Sequence, residues 1–284
     1  MGANRLTTVT TINGRRVSES HAKISVFDNS LLYAEGLFET FLAIDDRVIF
    51  IDEHLDRLYK GAGVIDLKLP VDRKTLEKWM VKTARAHPDK VKKLRLTVTS
   101  GESERWVGEQ GKPQVILSAS PHTMPDKPFR VLVSDMKVDQ TSVFRRIKTI
   151  SYAIHAASLK RAKQKGYDDA LLVNTNGEVA EVTSANIFWV KRGKVYTPPL
   201  DAGCLEGVTR LVSLHIARDL GINIFEKSQL LGHMLSADEV FISSSLKLVV
   251  GVSEIVREDR SYEFPEGPVT AKFRDYFHRT ILHG

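Results

Sequence analysis

Cysteine is almost missing from this chain: Cys204 is the one thiol in 284 residues. An internal disulfide is thereby excluded, and a thiolate metal cluster with it. The nine histidines are scattered without zinc-ligand spacing, so metal catalysis is not expected. No apolar run approaches the length of a membrane span, and the N-terminus has no signal-like apolar stretch. The expected location is therefore the cytoplasm, with no membrane partner. Repeats and low-complexity tracts are absent too. Charge of neither sign dominates, with 41 Lys and Arg against 35 Asp and Glu, a net +6. That balance suits anionic ligands, but it is spread along the chain and leaves no basic stripe for nucleic acid.

Hydrophobic residues make up 42%, enough at this length for a substantial core in one large or two ordinary domains. Thr8 to Ile12 alternates like a strand, Asn13-Gly14 is a tight turn, and Arg15 to Val17 starts the return. Leu37 to Ile44 is an apolar strand after Gly36, followed by an Asp45-Asp46 turn and a strand at Val48 to Ile51. A helix opening at Glu53 places His54 and Arg57 three apart on one face. Asp72 to Ala86 is a second helix, with Leu76, Trp79, Met80 and Thr83 inward, stopped by Pro88. Strands follow at Val91 to Ser100 and Gln114 to Ala119. The prolines between Pro121 and Pro128 mark a linker, so the predicted domains are 1–120 and 129–284, joined by 121–128.

Ile147 to Val190 is chemically the densest stretch. Lys148 precedes a helix-like run with Ile154, Ala157, Leu159 and Ala162 at its small or apolar positions. Lys160, Arg161, Lys163 and Lys165 face water, and Gly166 stops the helix. Ala170 to Val173 is an apolar strand, Asn174 to Gly177 a hairpin turn, and a second strand brings up Glu181. After the bend Thr183 to Asn186, a third strand returns at Ile187 to Val190. Such a fold-back can hold a lysine, a carboxylate and polar side chains around one cavity. Further on, Gly207 opens a helix over 211–220 whose first turn offers unpaired amides and the positive dipole end. Asp238 to Ile242 is a strand ending in Ser243-Ser244-Ser245, and Phe273, Tyr276, Phe277 and Ile281 make a helix for the core or a partner subunit. Cys204 reads as a small buried residue rather than a nucleophile.

Lys148-Thr149, Gly166-Tyr167-Asp168-Asp169-Ala170-Leu171, Gly177, Val179-Ala180-Glu181 and Asn186-Ile187-Phe188, in that order, resemble the signature of the class IV aminotransferases, the fold-type IV pyridoxal-phosphate enzymes. Tyr33-Ala34-Glu35-Gly36 before Leu37-Phe38-Glu39-Thr40 resembles the family's N-terminal block, and Leu205-Glu206-Gly207-Val208-Thr209-Arg210 its phosphate element. The resemblance covers roughly residues 27 to 252. It implies a two-domain α/β (α+β) fold like that of D-amino acid aminotransferase, a homodimer, and pyridoxal 5'-phosphate seated between the domains.

By the same resemblance Lys148 carries the cofactor as a Schiff base and moves the substrate α-proton, and Glu181 keeps the pyridine nitrogen protonated. Arg57 binds the phosphate with its guanidinium fork. Val208 and Thr209 donate to that phosphate, Ser244 and Ser245 reach it or the substrate carboxylate, and Asn186 belongs to the cofactor set. Tyr152 touches the ring oxygen or else packs as a half-buried tyrosine. His54 supports the site or simply packs. Tyr33, Phe38 and Arg105 are the substrate-side candidates, Arg105 for a carboxylate unless it is a solvated loop residue.

The implied reaction moves an amino group between an amino acid of D- or branched-chain type, or a primary amine, and a 2-oxo acid. Aminodeoxychorismate lyase, which yields 4-aminobenzoate and pyruvate, is the alternative on the same machinery. A non-enzymatic anion-binding module is the distant one. Several departures from the family pattern leave the donor open. Thr40 is closer to the D-amino acid enzymes and lyases than to branched-chain enzymes, which carry glycine there. Phe38 stands where D-amino acid enzymes have a carboxylate-binding tyrosine, and Val107 where they have histidine. Ala34 stands where glycine is common, and Gly251-Val252 replaces a Pro-Val pair.

Overall fold

The computed structural model describes residues 8–103, 108, 109 and 111–282. Two compact units divide it: residues 1–124 with 147–151, and residues 125–146 with 152–284.

The first unit holds β1 (Val9–Ile12), β2 (Arg15–Val17), α1 (Asn29–Tyr33), β3 (Gly36–Ile44), β4 (Arg47–Val48), α2 (Ile51–Val64), α3 (Arg73–Arg85), β5 (Val91–Thr99) and β6 (Val115–Pro121). Its six strands form an antiparallel sheet in the order β2-β1-β6-β5-β3-β4. The β1–β2 turn has positive φ at both Asn13 and Gly14, 50° and 74°, as a type I′ hairpin demands. A side chain at Gly14 would also overlap the Trp79 ring. Period-2 alternation points Leu37, Phe41 and Ala43 of β3 and Leu94, Leu96 and Val98 of β5 into one core with Leu55, Leu58, Leu76 and Met80 of the helices. Asp72 caps α3 by accepting from Thr75 N at 2.7 Å.

The second unit holds β7 (Phe129–Val138), α4 (Ala153–Gln164), β8 (Asp169–Asn174), β9 (Val179–Val182), β10 (Asn186–Lys191), β11 (Lys194–Thr197), α5 (Val208–Asp219), β12 (Ile224–Glu226), α6 (Leu231–Met234), β13 (Glu239–Ser244), β14 (Leu248–Arg257), β15 (Arg260–Glu263) and α7 (Pro268–Phe277). Its sheet runs β12-β11-β10-β13-β14-β7-β8-β9, with β15 paired to β14. It mixes parallel pairs (β7 with β8 and β14, β11 with β12) among antiparallel ones. The hairpin expected at Asn174 to Gly177 joins β8 and β9. The third strand of that stretch does not lie beside the second in the ladder. β10 has its ladders with β11 and β13, and an isolated bridge between Val182 and Ala185 closes the bend that precedes it. Ile154, one of the apolar positions of α4, is exposed, whereas Phe273 and Phe277 of α7 are buried.

The unit boundary between Met124 and Pro125 falls inside the proline-rich 121–128 segment. Lys148, expected in the domain 129–284, instead belongs to the first unit, because the 147–151 segment is tied to β3. Phe38 N donates to Lys148 O at 2.9 Å, Ile150 N donates to Gly36 O at 3.1 Å, and Ile147 is buried in the first unit's core.

Ala34 ends α1 in the left-handed conformation, φ 57°, which a Cβ disfavours; this is the physical reason glycine is common there. Ala34→Gly should therefore stabilise the protein by about 1 kcal/mol, read as a higher denaturant midpoint. An unchanged or lower midpoint would refute it.

Candidate active site

In the first unit, β3 turns Glu39 to the same face as Leu37 and Phe41, against α2. A carboxylate there is fully buried and must find cations. The i and i+3 spacing on α2 supplies them. Arg57 donates Nε to Glu39 Oε1 at 2.8 Å and Nη2 to Oε2 at 2.6 Å, while His54 Nδ1 lies 2.7 Å from Oε2. Burial works against the Glu39 charge, yet Arg57 and His54 hold the carboxyl at about 2. For His54, burial wins over the pull of Glu39, and the charges of Arg57 and Lys148 add to it, so its pKa is lowered. A neutral imidazole facing an ionised carboxylate must donate through Nδ1. The 3.4 Å approach of Arg57 Nη2 to that nitrogen is then proximity rather than a bond.

The other face of β3 carries Phe38. Its ring centroid lies 4.5 Å from Lys148 Nζ and 4.0 Å from the Arg95 guanidinium carbon. Arg95 reaches it because Thr40 and Arg95 are cross-strand partners on the same face. Tyr33 ends α1 and is partly exposed. Arg105 and Val107 lie outside the described residues.

In the second unit, Glu181 on β9 is buried. Its Oε1 accepts from Arg145 Nη2 at 2.6 Å and its Oε2 from Leu205 N at 3.0 Å. His155 Nε2 sits 3.2 Å from Arg145 Nη1 and 3.4 Å from Glu181 Oε1. Burial opposes the Glu181 charge, but His155 and Arg145 overcome it and the carboxyl lies below its ordinary range. Tyr152 stacks on His155, centroids 4.2 Å apart, and its hydroxyl donates to the Thr183 carbonyl.

Asn186 donates Nδ2 to Leu205 O at 2.9 Å, which fixes the loop entering α5. A side chain at Gly207 would overlap Asn186 Oδ1, so glycine is required there. Gly207 caps α5 without a side-chain bond, and the first turn presents the Val208 and Thr209 amides at a helix N-terminus. Thr209 Oγ1 is buried without a partner, as are Ser243 Oγ and Ser244 Oγ at the end of β13, the strand α5 packs against. Buried hydroxyls left over beside a helix N-terminus fit an oxyanion such as a phosphate, and an ionised buried carboxylate fits a protonated ring nitrogen. The residues present therefore suit pyridoxal 5'-phosphate.

Thus one unit joins Arg57 and His54, and puts Lys148 beside Phe38; the other joins Glu181, Tyr152, Asn186, Val208, Thr209 and Ser244. Sequence reasoning passed over Glu39, Arg95, Arg145 and His155. Glu39 had a signal, since alternation on β3 puts it with the inward residues. Arg145 and His155 had none beyond their nearness to Lys148. Among the described residues no cluster of three or more His, Cys, Asp or Glu could hold a metal, and no helix is long and apolar enough to cross a membrane.

Residues 36–255 match the amino-transferase class IV family. A Methanocaldococcus jannaschii protein with a provisional branched-chain-amino-acid aminotransferase name is 32% identical, covering 94% of both chains. The D-alanine aminotransferase of Bacillus licheniformis is 28% identical over 95% of this chain and 96% of its own. The aminodeoxychorismate lyase of Bacillus subtilis is 26% identical over 95% and 94%. A solved branched-chain aminotransferase from Thermoproteus uzoniensis, with norvaline, superposes with a TM-score of 0.89 at 30% identity, covering 97% of this chain and 95% of that one.

The Glu39 cluster has a pH signature. Its carboxyl is depressed from an ordinary 4.5 to about 2. The stability it contributes is therefore complete above pH 4.5 and lost as pH falls through about 2, amounting to about 3 kcal/mol. Unfolding free energy measured across that acid range should lose this component in Glu39→Gln. Wild-type and variant profiles of equal slope would refute the assignment.

Proposed function

The chain belongs to the class IV aminotransferases, which are pyridoxal-phosphate-dependent transaminases, and from that premise we propose that it binds the cofactor through Lys148 and transfers the amino group of a branched-chain-type amino acid to a 2-oxo acid. Glu181 is the observation that carries the reading. A carboxylate buried and held ionised by Arg145 and His155 is costly to keep, and pairing a protonated pyridine nitrogen gives it a use. When bound, pyridoxal 5'-phosphate supplies an aldehyde that condenses with amines and a ring that accepts electrons from the substrate α-carbon.

The chain's own residues supply the rest. Lys148 Nζ would be the base that takes the proton from the substrate α-carbon and holds it for return. Arg57, oriented by Glu39, is the first unit's proposed phosphate ligand; in the second unit the Val208 and Thr209 amides and the Thr209 and Ser244 hydroxyls take that role, and Ser245 on the same turn adds to them. Tyr152 orients the ring, and Asn186 keeps the α5 entrance in place. Phe38 gives an apolar surface for an aliphatic side chain, Arg95 a cation for a carboxylate, and Tyr33 a wall on the substrate side; Arg105 is a further proposed carboxylate partner. The branched-chain names of the similar proteins support the choice of donor.

A homodimer belongs to the same proposal. Val26, Phe27, Leu31 and Leu32 are each more than half exposed, and neighbouring apolar residues of this size support a protein contact. The cytoplasm remains the proposed location. The lyase is the second reading, favoured by the similarity to the Bacillus subtilis enzyme.

Mixing the protein loaded with pyridoxal 5'-phosphate separately with L-leucine, D-alanine and L-glutamate should bleach its visible absorbance with L-leucine fastest. Lys148→Ala should lower turnover by about 10³-fold or more and remove the absorbance. Faster bleaching by D-alanine would overturn the donor. No bleaching by any donor, with 4-aminobenzoate formed from aminodeoxychorismate, would establish the lyase. Sedimentation of a monomer at micromolar concentration would refute the dimer.

A further inference from the structure

Asp169, the first residue of β8, has no exposed surface. Its Oδ1 accepts from Ala170 N at 2.8 Å, from Thr183 N at 3.1 Å and from the Thr183 hydroxyl; its Oδ2 accepts from the Ser184 hydroxyl. Among the described residues no cation lies within ion-pair distance of this carboxylate. The nearest in the network is one hydroxyl away: Lys247 Nζ donates to Ser184 Oγ at 2.8 Å. The lysine stem is half-buried, with its ammonium 5.6 Å from the Phe129 ring centroid. Burial holds its pKa below the ordinary lysine value, while Asp169 pulls the other way.

Both ends of this relay touch groups already assigned. The Thr183 carbonyl is the acceptor of the Tyr152 hydroxyl. Lys247 N donates to Ser244 O at 3.2 Å, closing the turn that carries Ser244 and Ser245. The next residue, Leu248, is fully buried and left-handed, φ 53°. A left-handed leucine is strained, so this turn persists only if its surroundings hold it.

We propose that Lys247 is a positioning residue, whose hydroxyl-bridged pair with Asp169 clamps the Ser243–Ser245 turn to the Thr183–Ser184 bend. The phosphate hydroxyls and Tyr152 are then set as one piece; this consequence rests on the function proposed above. The cation suits the task because two loops carrying polar groups need a directional, charged tie in place of an apolar contact. A lone surface lysine would couple nothing.

The test is a double-mutant cycle with Lys247→Met, which keeps the stem, and Ser184→Ala, which removes the bridge. The first readout is hydrogen exchange of the apoprotein over 182–186 and 243–248. The second is the dissociation constant for pyridoxal 5'-phosphate. Either substitution should speed exchange in both segments and weaken cofactor binding about tenfold, and the double variant should also weaken it about tenfold rather than a hundredfold. Multiplying effects, or faster exchange only around the substituted residue, would overturn the clamp. Wild-type protein that shows the exchange coupling but binds no pyridoxal 5'-phosphate would overturn the proposed function and leave the clamp standing. Wild-type binding that Lys247→Met leaves unchanged would overturn the clamp's role at the site and leave the function standing.

Discussion

A carboxylate taken out of water has to be given an equivalent environment, and four buried carboxylates show how this chain does so. Glu39 is answered by the Arg57 fork and the His54 imidazole. Glu181 is answered by Arg145 and a backbone amide. Asp169 is answered by two hydroxyls and two amides. Glu239, at the start of β13, accepts from Val269 N at 3.3 Å, from Thr270 N at 2.9 Å and from the Thr270 hydroxyl at 2.8 Å, so the first turn of α7 compensates it. Each solution locks together elements far apart in sequence: β3 with α2, β9 with the segment before Lys148, β8 with the 183–185 bend, and β13 with the C-terminal helix. Removing one partner from such a pair strands a charge in a place water does not reach, which is why these groups act as fixed points for their surroundings.

Much of the fold was legible where local rules suffice. Asn13-Gly14 and Asn174 to Gly177 announce hairpins through turn chemistry, Asp72 and Pro88 bracket α3, and Gly207 announces the start of α5, whereas its close approach to Asn186 shows only in the fold. What local rules do not carry is partner choice. Nothing in Ile187 to Val190 says that the strand joins β11 and β13 rather than the adjacent β9. Likewise nothing around Lys148 says that five residues leave the second unit's chain for β3, since the decisive contacts, with Gly36, Leu37 and Phe38, lie more than a hundred residues away.

The candidate site shows the same division. Lys148, Glu181 and the Gly207 to Thr209 element were readable because each is a chemical type at a recognisable spacing. Arg145 and His155 were not, because their importance comes from the carboxylate they meet and not from any pattern of their own. Glu39 lies between these cases. It was written in the sequence as an acid among inward-facing residues, but its answer on α2 became visible only when α2 was laid against the sheet.

The placing of residues 147–151 also bears on the chain as a genetic object. The polypeptide passes between the two compact units at three covalent points, after residues 124, 146 and 151. Neither unit is therefore a continuous gene segment. A cut at the proline-rich boundary would separate two fragments, of which the second carries a β3-pairing segment with Ile147 bared and the first lacks the piece that covers its core. The units cannot be shuffled as independent modules, so insertions and deletions are best tolerated within each unit's loops, and Lys148 is inherited only together with both.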